Sequence, residues 1–136
     1  MKIAIRYYTR SGNTKKLADV ISETLGVEAK EVSEPLKEPV DILFLGSSVY
    51  AAGVDDAVKK FIADNHEHIG TLYNFSTAAL LSSTYKQIQK IAKEYGVKVA
   101  EEEFHCRGSF AVMHKGRPNR DDLAAACAFA NKVCGE

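Results

Sequence analysis

The chain has 136 residues, enough to enclose one hydrophobic core, and we expect one domain over residues 1–136. Hydrophobic residues make up 46% and charged residues 26%, as in soluble globular proteins, and no apolar run approaches the roughly 20 residues of a membrane span. The 18 basic and 18 acidic residues balance without a long block of one sign, which argues against a nucleic-acid partner. Three cysteines without a CxxC pair, and no signal-peptide pattern, predict a cytoplasmic protein without disulfides.

Short apolar runs alternate along the chain with amphipathic segments, a pattern that predicts an α/β fold with a mostly parallel sheet covered by helices on both faces. The strands are expected at residues 2–7, 27–32, 41–46, 72–79 and 97–104. Helical spacing is present at residues 14–25, 54–62, 85–95 and 123–134. Gly26 and Gly96 are stop signals for the first and third helices, and Asn119 and Asp122 are starting signals for the fourth.

The link between the second and third strands is too short for a helix. Residues 33–40 read SEPLKEPV and contain two prolines. Adjacent parallel strands need a crossover of about a dozen residues or more. We therefore expect the chain to cross the first strand as a loop.

The corner between the first strand and the first helix is unusually polar. Residues 9–14 read TRSGNT, with four hydrogen-bonding side chains in six positions, whereas capping a helix needs one. Ligands of open parallel sheets bind at the carboxyl ends of the strands, and a helix N-terminus favours an anion. Gly12 would let the backbone approach a ligand or take a positive φ. These features predict a phosphate site, and the alternative is an N-cap rich in Ser, Thr and Asn.

Two lysines follow in the first turn of that helix, where the helix dipole disfavours cations. A bound dianion would reverse this preference for Lys15 and Lys16. The alternative, that both lysines simply project into water, stays open.

Several phosphate-binding motifs are absent. The chain has neither the GxxxxGK[ST] loop nor GxGxxG, and the position six residues after Cys106, where a phosphatase-like loop has arginine, is Val112. The expected ends of the first and third strands carry Tyr and Ser rather than the acidic residues of a phospho-acceptor domain. The pattern favours a phosphate bound without metal or adenylate.

Three stretches of the sequence resemble the flavodoxin family. TRSGNT at residues 9–14 is similar to its phosphate loop, and GSSVYAAG at 46–53 resembles the loop along the flavin ring. Residues 104–130 resemble the last strand and helix of short flavodoxin-like proteins. The resemblance implies a three-layer sandwich with a five-stranded parallel sheet in the order 2-1-3-4-5. It also implies FMN as the cofactor.

The resemblance assigns the site residues by position. Tyr50 is the first candidate for stacking on the ring, and the alternative is that it packs on Val54. The expected phosphate-binding residues are Thr9, Arg10, Ser11, Gly12, Asn13 and Thr14; those along the ring are Ser47, Ser48, Val49, Tyr50, Ala51, Ala52 and Gly53; and those at its other edge are Ser76, Thr77, Ala78 and Ala79.

The implied function is electron transfer. A small FMN-binding carrier, a monomer or weak dimer, would shuttle electrons between a reductase and an acceptor protein. One alternative is an FMN-dependent reductase that passes electrons from NAD(P)H to quinone-type acceptors. Another is a binding module with weak flavin affinity, because the loop after the fourth strand lacks the acid and the aromatic residue common in the family.

The remaining histidines and cysteines have structural interpretations. His66 and His68 stand two positions apart, on different faces of a helix end, so we expect solvated side chains rather than metal ligands. Cys127 and Cys134 lie about 10 Å apart by helical rise, too far for a disulfide, and should pack in the core. His105 and Cys106 either close the fifth strand or approach a ligand.

Overall fold

Strands and helices alternate in the computed structural model, which describes residues 1–10, 12–49, 54–78, 83–107 and 116–135. The strands are β1 (Ile3–Tyr7), β2 (Ala29–Glu31), β3 (Val40–Val49), β4 (Ile69–Ala78), β5 (Lys98–Val99) and β6 (Phe104–Arg107). The helices are α1 (Asn13–Leu25), α2 (Asp56–Asn65), α3 (Tyr85–Glu94) and α4 (Arg120–Val133), and a short 3-10 turn at His66–His68 follows α2.

All strand pairs in the described sheet are parallel. The order is β2-β1-β3-β4, and both β5 and β6 pair with the outer side of β4 at different levels. The predicted order 2-1-3-4-5 is confirmed, with the fifth position shared by two short strands.

The predicted loop crossing over β1 is confirmed. Residues 32–39 contain turns but no helix, and they lead from β2 past β1 to β3. The buried Arg6 of β1 holds this loop, donating hydrogen bonds to the carbonyls of Glu34 and Pro35 at 2.9 and 3.2 Å. The backbone N–H of Leu36 donates to Asn65 Oδ1 at 2.9 Å. These contacts replace the helix that a crossover normally provides.

The prediction of one continuous strand over residues 97–104 is wrong. Regular pairing stops after Val99 and resumes at Phe104, and the interval includes the like-charged run Glu101, Glu102 and Glu103. Glutamate is depleted in strands, and neighbouring carboxylates repel each other. The Tyr85 hydroxyl of α3 donates to the Ala100 carbonyl at 2.9 Å. A side chain of α3 therefore satisfies a backbone carbonyl where the strand is interrupted.

Two central strands are longer than predicted. β3 continues to Val49 instead of ending at residue 46, and β4 begins at Ile69 rather than at residue 72. The two strands pair in register up to Val49 and Ala78. The added residues include the polar Ser47, Ser48 and Thr71, so the sequence shows no continuous apolar run there. The longer strands depend on pairing between distant segments rather than on local hydrophobicity.

A hydrophobic core lies on each face of the sheet. Leu43, Leu45 and Leu72 pack with α2 and α3, whereas Phe44 and Phe75 pack with α1 and α4. Within the described ranges, no helix is both long and apolar enough to cross a membrane.

The predicted helix signals are confirmed. Gly26 takes a left-handed conformation (φ 68°) at the end of α1, and its N–H donates to the Ser22 carbonyl. Asn119 and Asp122 form a reciprocal capping box at the start of α4. Gly96 has a φ of 72° just beyond α3.

Candidate functional site

The carboxyl ends of β1, β3 and β4 meet at one edge of the sheet, where α1 also begins. The N–H of Tyr8, just after β1, donates to the Gly46 carbonyl of β3 at 3.0 Å. The ends of β3 and β4 are paired as Ser47 with Ser76, Ser48 with Thr77, and Val49 with Ala78. The predicted ring-side residues 47–49 therefore lie within β3, beyond the strand end predicted at residue 46, and residues 76–78 lie within β4, inside the predicted strand.

The N-terminus of α1 is suited to an anion. Its N-cap residue is Gly12, with a φ of 89°, and glycine has no side chain with which to cap the helix. The Thr9 hydroxyl oxygen accepts the Gly12 N–H at 2.9 Å and so folds the turn. The first turn has no acidic residue. The first N–H groups of the helix and its dipole thus favour a bound anion.

The two lysines in the first turn are exposed. The Lys15 ammonium lies 2.8 Å from the carboxylate of Asp19, one turn along the helix, and this hydrogen bond raises the pKa of Lys15. The structure therefore agrees with the solvent-facing interpretation for Lys15. Lys16 is exposed as well.

The side chain of Thr14 points into the protein. It is fully buried, and its hydroxyl lies 2.9 Å from that of Thr77 and 3.4 Å from the Ser47 carbonyl. Thr14 can therefore offer a ligand its backbone N–H, while its side chain fixes the start of α1 against β4. Asn13, the first residue of α1, is also buried, and Arg10 is exposed.

A second cluster of buried hydrogen bonds lies on the opposite face of the sheet. The Ser47 hydroxyl donates to Thr84 Oγ1 at 2.9 Å, and the Asn74 amide lies 3.1 Å from the same oxygen. The Thr84 N–H donates to the Ser76 hydroxyl oxygen at 3.3 Å. All four side chains are fully buried. We call this group the Thr84 network; it joins the ends of β3 and β4 to the start of α3.

Thr84 and Asn74 are not among the residues predicted from the sequence. The available signal was an asparagine inside an apolar strand, because a buried amide must find partners. Its partners come from three elements that are distant in sequence, so local spacing does not identify them.

Ser48 is the exception among the buried hydroxyls of the site. Its oxygen is buried and has no hydrogen-bond partner among the described residues, and the residue is 6% exposed. Strand alternation places it on the same face as Phe44, beside Thr77. A buried hydroxyl without a partner is uncommon and marks a place where a bound group can complete the hydrogen bonding.

Gly46 is required by close packing at the same edge. A Cβ atom at this position would lie 2.3 Å from Phe75 Cε2 and 2.9 Å from Thr14 Cγ2. The missing side chain therefore lets the Phe75 ring and the first turn of α1 approach β3.

Part of the predicted site lies outside the described residues. Ser11, Tyr50, Ala51, Ala52, Gly53 and Ala79 belong to this group, and only the backbone is described for Val49 and Ala78. The choice between stacking and packing for Tyr50 stays a prediction.

Cys106 and His105 lie in β6 rather than after the strand. Cys106 is buried in the core beside α1 and α4, and burial raises its pKa to about 12, so its thiol is protonated at neutral pH. His105 Nδ1 lies 3.0 Å from a carboxylate oxygen of Glu103. Both residues pair with β4, His105 with Ser76 and Cys106 with Thr77, which agrees with the interpretation that they belong to a strand.

The remaining cysteines and histidines have structural contacts. Cys127 and Cys134 form no disulfide within the described part of the chain, and they are half-buried rather than fully packed. His68 Nδ1 lies 3.0 Å from the Leu36 carbonyl oxygen, and the His66 ring packs near Tyr95. No group of three His, Cys, Asp or Glu side chains suited to a metal occurs in the described part of the chain.

The architecture is that of a doubly wound α/β protein, a class in which ligands bind at the carboxyl edge of the sheet. The family comparison matches residues 4–110 to the flavodoxin domain. The chain belongs to the flavodoxin family of flavin-binding electron-transfer proteins. A sequence comparison with curated proteins found no match.

Solved structures show the same fold at low sequence identity. A flavodoxin from the domain Archaea is 17% identical, with a TM-score of 0.80 over 99% of this chain and 97% of its own. Oxidised flavodoxin 2 from Bacillus cereus is 19% identical, with a TM-score of 0.72 over 99% of both chains. Rubredoxin oxygen:oxidoreductase from Desulfovibrio gigas is 13% identical, with a TM-score of 0.75 over 98% of this chain and 35% of its own.

Proposed function

We propose that the chain is an FMN-binding electron carrier, formed by residues 1–136 as one domain, which passes electrons between a reductase and an acceptor protein. The observation that carries the proposal is the N-terminus of α1, whose N-cap residue Gly12 has no side chain with which to cap the helix, at the carboxyl edge of a flavodoxin-family sheet. Bound FMN would supply the redox chemistry, and the protein would bind and orient it.

The proposed phosphate site uses the turn after β1. The Thr9 hydroxyl shapes the turn, Gly12 gives it a positive φ, and the first N–H groups of α1 face the phosphate. The Thr14 hydroxyl stabilises the start of the helix from below. Arg10, Ser11 and Asn13 complete the proposed set.

The proposed ring site uses the segments that leave β3 and β4. The Thr84 network holds both strand ends and the start of α3 in one arrangement. The Ser48 hydroxyl, which has no partner among the described residues, lies on the face of the sheet that α1 covers, and a bound group can complete its hydrogen bonding. The ring-side residues beyond the strands, Tyr50, Ala51, Ala52, Gly53 and Ala79, are part of the proposal.

The carrier role is tested with the FMN-loaded protein. We expect no oxidation of NADPH by this protein alone, and reduction of its flavin once a flavoprotein NADPH reductase is added. Cytochrome c then serves as an artificial acceptor for the electrons. Steady NADPH oxidation with a quinone and no added reductase would contradict the carrier and indicate the reductase alternative.

A further inference from the structure

A groove of about 670 Å³ follows the outer side of α3 beside the edge strand β5. Lys86, Lys90 and Lys93 line its helical side, and Val97 and Val99 form its apolar floor. We call it the basic groove. Among the residues that the structure describes, no acidic one contributes to its lining.

The lysines of the basic groove form no ion pair within the described part of the chain, although Glu94 stands four positions after Lys90. On α1 and α2, by contrast, Lys15 and Lys60 lie 2.8 and 2.6 Å from carboxylates four residues further on. On α3 the residue four positions after Lys86 is Lys90, and Lys93 follows three later. These like charges repel each other, and in the described ranges none of the three forms an ion pair.

A buried acceptor with no partner among the described residues shares the neighbouring groove with Lys90. Gln87 Oε1 is buried and has no hydrogen-bond partner in the part of the chain that the structure describes. Gln87 lines not the basic groove but the neighbouring groove between α2 and α3, together with Lys90, Glu94 and the exposed Tyr95. A carbonyl oxygen in this position needs an N–H donor, and a polypeptide backbone supplies one.

We propose that the basic groove is a docking site for an acidic, extended segment of a partner protein. Carboxylates of that segment would meet the three lysines, and its apolar side chains would cover Val97 and Val99. Such charge complementarity sets the register and speeds association. The proposal goes beyond flavin binding and does not depend on it.

Protection of a sheet edge and binding of nucleic acid fit the basic groove less well. A lysine on an edge strand, such as Lys98 in β5, protects the sheet against pairing with another chain, but the α3 lysines are not on that edge. Single-stranded nucleic acid favours aromatic side chains on which bases stack, and the described lining of the basic groove contains none.

The test is an NMR titration of the FMN-loaded full chain with a short peptide of alternating glutamate and valine. We expect amide shifts confined to α3 and β5. The K86E/K90E/K93E variant should bind this peptide about tenfold more weakly or worse, because three attractive contacts become repulsive. The K30E/K37E/K132E variant makes the same change in net charge elsewhere and should retain the affinity.

Four results would overturn the proposal: no binding, shifts centred on another surface, equal weakening in both triple variants, or equal affinity for a peptide with glutamine in place of glutamate. Tighter binding of a single-stranded oligonucleotide of equal charge would overturn it as well. Flavin absorbance monitors the proposed cofactor separately, so failure of the docking site and failure of FMN binding are distinguishable.

Discussion

The hydroxyl groups of Thr14 and Thr77 lie 2.9 Å apart in the interior, and this contact joins the first turn of α1 to the end of β4. Both side chains are almost completely buried, so neither hydroxyl is available to water. The contact shows that the Thr14 side chain, one of the polar groups of residues 9–14, points into the protein interior and stabilises the turn instead of facing a ligand.

Replacing either threonine with valine removes the hydroxyl but keeps the side-chain shape. We expect Thr14→Val and Thr77→Val each to lower the free energy of unfolding by about 1–2 kcal/mol, since each leaves a buried hydroxyl or carbonyl unpaired. The double variant should lose less than the sum, with a coupling of about 1 kcal/mol. Urea unfolding without FMN gives the free energy of unfolding of the parent, the two single variants and the double variant, which together form a double-mutant cycle. Strict additivity would show that the two hydroxyls do not interact.

Thr84→Val tests whether the Thr84 network supports the ring side of the site. The change removes a hydroxyl that contacts Ser47 and Asn74, so we expect a loss of about 1–3 kcal/mol of stability from the unsatisfied amide. FMN and riboflavin should both bind more weakly, by the same factor, because the phosphate site is untouched.

The matched control is Thr24→Val, which removes a hydroxyl bonded to the Val20 carbonyl on α1. It should leave flavin affinity unchanged. Unaltered flavin binding in T84V would limit the network to a role in stability.

Gly12→Ala separates backbone strain from ligand binding. Gly12 and Gly26 both have positive φ values, 89° and 68°, and a Cβ atom at either position would meet nothing within 4 Å. Alanine should therefore cost each position about 1 kcal/mol of stability. Only G12A should also weaken FMN binding, because Gly12 begins the proposed phosphate site and Gly26 lies at the far end of α1. Parallel thermal melts and FMN titrations compare the variants, and equal FMN affinity in both would place the phosphate elsewhere.

The start of α4 provides a pH-dependent contribution to stability. Arg117 donates to both carboxylate oxygens of Asp122, at 2.5 and 2.8 Å, and this contact holds the pKa of Asp122 below its ordinary value. A carboxylate with a lowered folded-state pKa stabilises the fold above its ordinary pKa, and the contribution disappears as pH falls through the lowered value.

Asp122→Asn should therefore lower stability near pH 7 by about 1 kcal/mol or more and flatten its decline in acid. Asp121→Asn is the control. The Asp121 carboxylate is exposed, and the hydrogen bonds to Arg117 and to the Asn119 N–H are made by Asp122. Urea unfolding at several pH values between neutral and acid gives the comparison. An acid decline in D122N as steep as in the parent would contradict the assignment to Asp122.

Much of the fold could be predicted because its signals are local. The alternation of strands and helices, Gly26, and the Asn119–Asp122 capping box all follow from short stretches of sequence. Two prolines and a short link likewise predicted the loop across β1. Strand ends were less predictable, since β3 and β4 extend only because they pair with each other.

The turn between β1 and α1 was predictable in position, but the direction of its side chains was not. TRSGNT identified the turn before α1, yet only the structure shows that the Thr14 hydroxyl is buried against Thr77. The roles of Thr84 and Asn74 depend on contacts between distant elements, which spacing along the chain does not reveal.

The most direct measurement is a fluorescence titration of the apoprotein with FMN, and with riboflavin as the control that lacks the phosphate. We expect strong quenching by the protein at low FMN concentration and much weaker binding of riboflavin. Equal affinity for the two flavins, or no quenching of either, would contradict the claim that the N-terminus of α1 holds the FMN phosphate.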